Sequence, residues 1–261
     1  MLRLSDLNIV ESKEALKDIP EGKVLINTIN AHSYNVAQKD ELFAEALRTV
    51  HGEGGMVNGS PECIKYLIPD GASIVKACKF LDAKSKPMER IAGWDLFQFE
   101  MERLEVRSKK EEVRGKVMFM GSSEKVLALI KENAAKDYPS LEVVTYSPPY
   151  KPEFSDEDNA AIIKAINDAD PDLLWIGMTA PKQEKWTYSH WKELNIHCHV
   201  GTIGAVFDFY AGTAVRAPQW WQEHSLEWLY RLIKEPKRMW RRYVIGNPLF
   251  LKNIRKEKKE C

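Results

Sequence analysis

Pro171-Asp172-Leu173-Leu174-Trp175-Ile176-Gly177-Met178-Thr179-Ala180-Pro181-Lys182-Gln183-Glu184-Lys185-Trp186 reads as a buried strand, a glycine turn and the start of a helix. Leu173 to Ile176 lack the polar alternation of a strand with one wet face, the pattern expected of a strand covered on both sides. Gly177 permits a close backbone approach, and Pro181 suits the first turn of a helix whose free N–H groups attract anions. In an open α/β sheet such a junction lies at the carboxyl edge, where ligands bind, so Lys182, Gln183 and Glu184 are expected to face a crevice there. Many such turns serve no ligand, and the pattern alone leaves a purely structural junction open.

The same alternation extends to both sides. Strands are predicted at Val117 to Met120, Leu141 to Tyr146, Leu173 to Ile176 and Ile196 to Val200, with helices at Ser123 to Lys136, Ser155 to Ala169 and Pro181 to Leu194. Strands separated by helices of that length imply right-handed βαβ crossovers and a parallel sheet with helices on both faces. Further upstream, Lys23 to Asn30 reads as a first strand and Asp40 to Val50 as an amphipathic helix. Met56 and Val57 suggest a short strand before the turn Asn58-Gly59-Ser60-Pro61, and Leu67-Ile68 leads into Pro69-Asp70-Gly71. A helix follows Gly93 and runs to about Arg103, and Arg107 to Arg114 reads as a solvated linker. After Thr213 the composition turns to tryptophan, tyrosine and arginine, punctuated by Pro218, Pro236 and Pro248. The expected organisation is an α/β domain over 1–215 and a basic, aromatic-rich helical appendage over 216–261.

The chain has 38 basic and 38 acidic residues, but the charge is unevenly spread. Eleven Lys or Arg against three Glu lie between Arg231 and Cys261, and the remainder is correspondingly acidic. The four cysteines form neither a CxxC pair nor a metal-ligand spacing, so no disulfide framework or zinc site is indicated and a reducing cytoplasm is expected. With no signal-peptide core and no apolar run of spanning length, any membrane contact is expected to be peripheral. Leu226, Leu229, Tyr230, Ile233, Met239, Trp240 and Tyr243 among arginines have the make-up of an interfacial helix attracted to anionic lipid. Basic-aromatic segments also bind nucleic acid, but no DNA or RNA motif accompanies this one.

Several residues have the chemistry of a site, each with a plainer alternative. Asp70, held on a tight turn, can take a proton from a hydroxyl; it can equally be an ordinary turn aspartate. Arg90 and Asp95 flank Gly93, where an arginine can neutralise a diphosphate, or the two can form a surface ion pair. Thr28, Asn30, His32 and Ser33 offer donors and acceptors for sugar hydroxyls, although helix capping would use some of the same groups. The Gly121-Ser122-Ser123 turn can hold a phosphate at a helix N-terminus, but the GxGxxG dinucleotide spacing is missing. Asp208, in a glycine-bearing segment from Gly201 to Gly212, can accept hydrogen bonds from a base or ribose, while the glycines equally suit helix–sheet packing. His197 and His199 share a probable strand face with no third metal ligand nearby and are expected to be core or edge residues.

Taken in order, Asn27-Thr28-Ile29-Asn30, Pro69-Asp70-Gly71, Arg90-Ile91-Ala92-Gly93-Trp94-Asp95, Pro181-Lys182-Gln183-Glu184, Phe207-Asp208 with Gly212, and Arg216-Ala217-Pro218 through Leu226 to Leu232 and Glu235 to Arg238 make the chain resemble the WecG/TagA/CpsF family of bacterial glycosyltransferases from about Lys23 to Leu249. The resemblance implies a Rossmann-like catalytic domain. It implies inverting, metal-independent transfer of a sugar from a UDP-sugar to an undecaprenyl-diphosphate-linked acceptor at the inner membrane face, in teichoic-acid, common-antigen, capsule or exopolysaccharide assembly. It further implies Asp70 as general base, Thr28, Asn30, Arg90 and Gln183 as supporting positions, and Arg216, Arg231 and Arg238 as diphosphate partners in an appendage that closes the site and touches anionic lipid.

That reading agrees with the chemistry of the residues themselves. Inverting transfer needs one carboxylate to deprotonate the acceptor and positive charge on the departing diphosphate. Without a DxD-like acidic pair in a plausible loop, arginines are expected to supply that charge, with no cofactor and no metal. Gly121-Ser122-Ser123 replaces a double-glycine turn of many members, and Ser147-Pro148-Pro149-Tyr150 replaces a Gly-Tyr loop. The donor is therefore left open among N-acetylmannosamine, its uronic acid and a hexose. Two rival readings are a nucleotide-sugar-modifying enzyme and a lipid- or nucleic-acid-binding module carried by the tail. An aromatic surface around Trp220 and Trp221 suits a homo-oligomer contact as well as an acceptor groove.

Overall fold

The computed structural model describes residues 1–49, 56–57, 60–61, 63–224 and 226–260. In chain order the elements are β1 (Val24–Ile29), α1 (Ala31–Ala37), α2 (Glu41–Leu47), β2 (Met56–Val57), β3 (Ser60–Pro61), β4 (Ile64–Pro69), α3 (Ala72–Leu81), α4 (Gly93–Glu111), β5 (Gly115–Gly121), α5 (Glu124–Asp137), β6 (Leu141–Tyr146), α6 (Asp156–Ala169), β7 (Leu173–Gly177), α7 (Lys182–Ser189), β8 (His199–Thr202), α8 (Gly204–Tyr210), α9 (Gln219–Glu223), α10 (Glu227–Lys234), α11 (Pro236–Trp240) and α12 (Gly246–Glu260). Six strands pair in parallel in the order β4-β1-β8-β7-β5-β6, a Rossmann-like α/β sheet with helices around it. The two-residue β2 and β3 pair antiparallel outside this sheet.

The uninterrupted apolar strands have a direct structural cause. In β7, Leu173 and Trp175 point into a core shared with α4, α5 and α8, while Leu174 and Ile176 point to the opposite face under α6 and α7. Val117 and Phe119 against Met118 and Met120 repeat that division in β5. Both faces being dry, neither set of alternate positions can be polar. Asn27 is fully buried in β1 but satisfied: its amide donates to the Ala46 carbonyl at 3.0 Å, and its oxygen accepts from the Thr202 hydroxyl at 2.7 Å.

Boundaries differ from the sequence reading where side chains cap helices. Asp40, Ser123 and Ser155 sit just outside α2, α5 and α6, each accepting from a backbone N–H of the first turn. Helices α1 and α3 are additional to those expected; Asn30 caps the first, and Gly71, at φ +148°, begins the second. The expected linker from Arg107 to Arg114 is largely helix: α4 continues to Glu111, because Glu100, Met101, Leu104, Glu105 and Ser108 bury one face against the domain. Helix α7 ends at Ser189, followed by a 3-10 turn at Trp191–Glu193. The last sheet strand begins at His199, not Ile196; exposed His197 precedes it, so the two histidines do not share a strand face. Buried His199 bonds the Glu100 carboxylate and the Pro20 carbonyl. Asn58 and Gly59 of the expected turn lie outside the described residues.

Within the 216–261 segment, α12 packs against α1 and α3, and Phe250 and Ile254 join a core cluster with Leu2, Leu4 and Tyr34. Glu257 fixes that return: its two oxygens accept from the Ser5 backbone N–H at 2.8 Å and the Tyr34 hydroxyl at 2.6 Å. The last helix is therefore part of the α/β domain's packing, while of the helices before it α10 meets the Arg90 loop through Glu227. Among the described residues, no helix is long and apolar enough to cross a membrane.

Candidate active site

Parallel strands bring all their carboxyl ends to one edge, so residues distant in sequence meet there. Asp70 follows β4, its backbone N–H donating to the Ile29 carbonyl at the end of β1 at 2.9 Å. This places Asp70 beside Asn30; a Cβ built on Gly71 would lie 3.9 Å from Asn30 Cβ. The Ile91 N–H donates to the Pro69 carbonyl and fastens the Arg90 loop to the same strand end. A Cβ on Gly93 would lie 3.7 Å from Thr28 Cγ2, so the third motif closes over the first. Thr28, Asn30, Asp70 and Arg90 are thus brought together.

The appendage completes this cluster. Arg90 Nε lies 3.8 Å from Asp70 Oδ1, and its Nη2 donates to Glu227 Oε2 at 2.6 Å. Glu227 Oε1 accepts from Arg231 Nη2 at 2.9 Å. Burial works against the charge on Arg90, but Asp70 and Glu227 outweigh it and raise its pKa above the ordinary value. Burial likewise opposes the Glu227 carboxylate, yet Arg90 and Arg231 outweigh it and hold its pKa below the usual glutamate value. Arg216 stacks over Trp94 at 5.6 Å, and burial lowers its pKa against the opposing pull of Glu227 and Asp95. The guanidinium of Arg231 lies 5.3 Å from the Phe209 ring centre. Glu227, an acid inside a basic-aromatic segment, was not assigned a role from sequence; that contrast was its signal. Arg242, beside His32, is a second such residue. Its Nε is buried and finds no hydrogen-bond partner among the described residues, and burial, then Arg242, lowers the His32 pKa.

Other candidates serve the framework. Asn30 accepts from the backbone N–H groups of His32 and Ser33 and so caps α1. Asp95 accepts from the Ala92 N–H at 2.8 Å and pairs with Lys13 at 3.1 Å. Lys182, Gln183 and Glu184, expected from sequence to face a crevice together, point to three different surroundings in the structure. The Lys182 ammonium turns outward to donate to the Lys151 carbonyl and lies over Phe154, whereas Gln183 and Glu184 are 4% and 2% exposed. Gln183 Oε1 accepts from the N–H groups of Met178 and Gly204, tying the loops after β7 and β8 together, and its amide donates to Glu184. Burial pushes the Glu184 carboxyl up to about 7, and its Oε2 has no partner among the described residues. Exposed Asp208 accepts from the Thr213 hydroxyl at the end of α8. The side chain of Arg238 lies outside the described residues.

Gly121 and Gly177 stand at the adjacent ends of β5 and β7. At φ +119°, Gly121 adopts a backbone that side-chain-bearing residues rarely reach, and a Cβ there would lie 2.4 Å from the Gly177 carbonyl oxygen. The two sequence departures meet at this end of the edge, where the Ser147 hydroxyl donates to the Ser122 carbonyl at 2.8 Å.

Residues 2–260 match the Glycosyl transferase WecG/TagA/CpsF family. The chain belongs to this family. It is 27% identical over 235 residues to the N-acetylglucosaminyldiphosphoundecaprenol N-acetyl-beta-D-mannosaminyltransferase of Bacillus subtilis (strain 168), covering 90% of this chain and 80% of that protein. The proteins of the same name from Bacillus spizizenii and Staphylococcus aureus (strain MW2) are 28% and 27% identical, covering 82% and 75% of this chain and 76% and 70% of their own lengths. The chain is accordingly a glycosyltransferase with a Rossmann-like fold.

Proposed function

We propose that this glycosyltransferase moves an N-acetylmannosamine-type sugar from UDP to a polyprenyl-diphosphate-linked N-acetylglucosamine in cell-envelope polysaccharide synthesis. The relatives' activity supports the acceptor and sugar class. The observation in this chain that carries the reading is the juxtaposition of Asp70 with Arg90, and through Glu227 with Arg231, at the carboxyl edge of the sheet. Asp70 takes the proton from the acceptor hydroxyl as that oxygen attacks the anomeric carbon from the face opposite UDP, which inverts the centre. Arg90, Arg216 and Arg231 face the charge that develops on the departing diphosphate, the part a divalent cation plays elsewhere. Thr28 lines the acceptor side. Gln183 acts indirectly, by fixing the loops after β7 and β8 where the nucleotide would lie. The Gly121–Ser123 turn and the Ser147–Tyr150 loop, joined by a hydrogen bond, are placed to select the donor sugar.

The acceptor's lipid requires a membrane-facing surface. Exposed Trp228, Ile233, Trp240, Val244 and Ile245 lie on α10, α11 and the segment 241–245, interleaved with exposed Lys234, Lys237 and Arg241. Such a surface suits peripheral binding to the anionic inner leaflet. The test is UDP release from a panel of UDP-sugars, with and without a short-chain polyprenyl-diphosphate-GlcNAc acceptor. Acceptor-dependent release from one donor, lost in Asp70→Asn, is expected; acceptor-independent modification of a UDP-sugar would overturn the reading in favour of a nucleotide-sugar-modifying enzyme.

A further inference from the structure

Glu227 sits at the centre of the cationic groups to which the diphosphate chemistry is assigned. It is 8% exposed, and each carboxylate oxygen takes a hydrogen bond from a different arginine, Arg90 from the α/β domain and Arg231 from its own helix. A carboxylate bridging two guanidinium groups makes the same charge-assisted N–H···O contacts that a diphosphate makes. Arg90 is additionally flanked by Asp70, so much of its charge is matched within the protein.

We propose that Glu227 is a built-in competitor of the substrate diphosphate: it holds Arg90 and Arg231 in place, yields them when the donor binds, and reclaims them to expel UDP. The inference rests on the proposed function, because it takes those arginines as diphosphate ligands. Its physical basis is that a full negative charge within hydrogen-bond distance of both guanidiniums lowers the positive potential offered to any incoming anion. Product UDP is held by the contacts that bind donor, so a competitor for them shortens product residence as well as weakening donor binding. A contact serving only to dock α10 would have the opposite signature, since its loss would free the appendage and weaken UDP binding.

The test compares UDP binding by calorimetry, and steady-state kinetics, in the full-length wild type and Glu227→Gln, with thermal melting to verify folding. Glu227→Gln is expected to bind UDP about tenfold more tightly, on the scale of one unit charge at contact distance near water. It is also expected to lower donor KM and, under saturation, kcat through slower UDP release. Glu227→Asp, whose shorter arm cannot span both arginines, is expected to tighten binding by an intermediate amount and serves if Glu227→Gln does not fold. Unchanged or weaker UDP binding in a folded variant would overturn the proposal while leaving the glycosyltransferase reading intact. Failure of the wild type itself to bind UDP would overturn both.

Discussion

Glu184→Gln tests whether the buried carboxyl behind the β7 turn is a titrating liability. With Glu184 only 2% exposed, burial raises its pKa from 4.5 to about 7, and the bond from the Gln183 amide recovers only part of that cost. Below pH 4.5 the carboxyl is protonated in both folded and unfolded chains and contributes no pH dependence. Between 4.5 and about 7 the unfolded chain releases the proton while the native state keeps it, so stability falls as pH rises. Above about 7 the native state also ionises, and the full cost, about 3 kcal/mol, is reached. The neutral amide of Glu184→Gln retains the acceptor for Gln183 and removes this penalty. The variant's melting temperature should approach that of the wild type near pH 5 and exceed it by roughly 5–10 °C near pH 8. The assay is thermal melting by circular dichroism across that range. A difference that stays constant with pH would refute the reasoning, since only a group with different folded and unfolded pKa values produces a pH-dependent gap.

Asp70→Asn should lower turnover by about 10²-fold or more while UDP affinity stays within a few fold, measured by UDP release and calorimetry; retained turnover would place the base elsewhere. Gly204→Ala places a Cβ 2.3 Å from the Met178 carbonyl oxygen and 3.0 Å from Gln183 Oε1, so it should destabilise the fold by about 1–3 kcal/mol, and a wild-type melting temperature would contradict that contact. Trp240→Ser with Ile245→Ser should weaken sedimentation with anionic vesicles at all salt concentrations. Lys237→Gln with Arg241→Gln should weaken it mainly at low salt, as expected for screened surface charge, and unaltered binding in both would remove the membrane role of this segment. Point substitutions are preferable to truncation, because α12 contributes Phe250 and Ile254 to the core.

The all-apolar runs at Leu173 to Ile176 and Val117 to Met120 were sufficient to specify a doubly covered parallel sheet, because residues with no polar alternation have no wet face to offer. Asp40, Ser123 and Ser155 marked helix starts for an equally local reason: their side chains satisfy N–H groups within the same turn. Asp70 and Arg90 were legible as candidates, since a carboxylate and a guanidinium on turns at strand ends have the chemistry of a site, and the fold brings the two together. Contacts between elements were not legible in this way. Lys182, Gln183 and Glu184 are consecutive, yet one turns outward, one ties two loops together and one is buried with a raised pKa, because each side chain's environment comes from a different neighbour. The partnership of Arg90 with Glu227, 137 residues apart, and the return of α12 onto α1 depend on how separate surfaces pack. Local periodicity and capping thus determined the sheet and the candidate residues, while burial and long-range charge pairing, which exist only once the chain has folded, decided which of those residues meet.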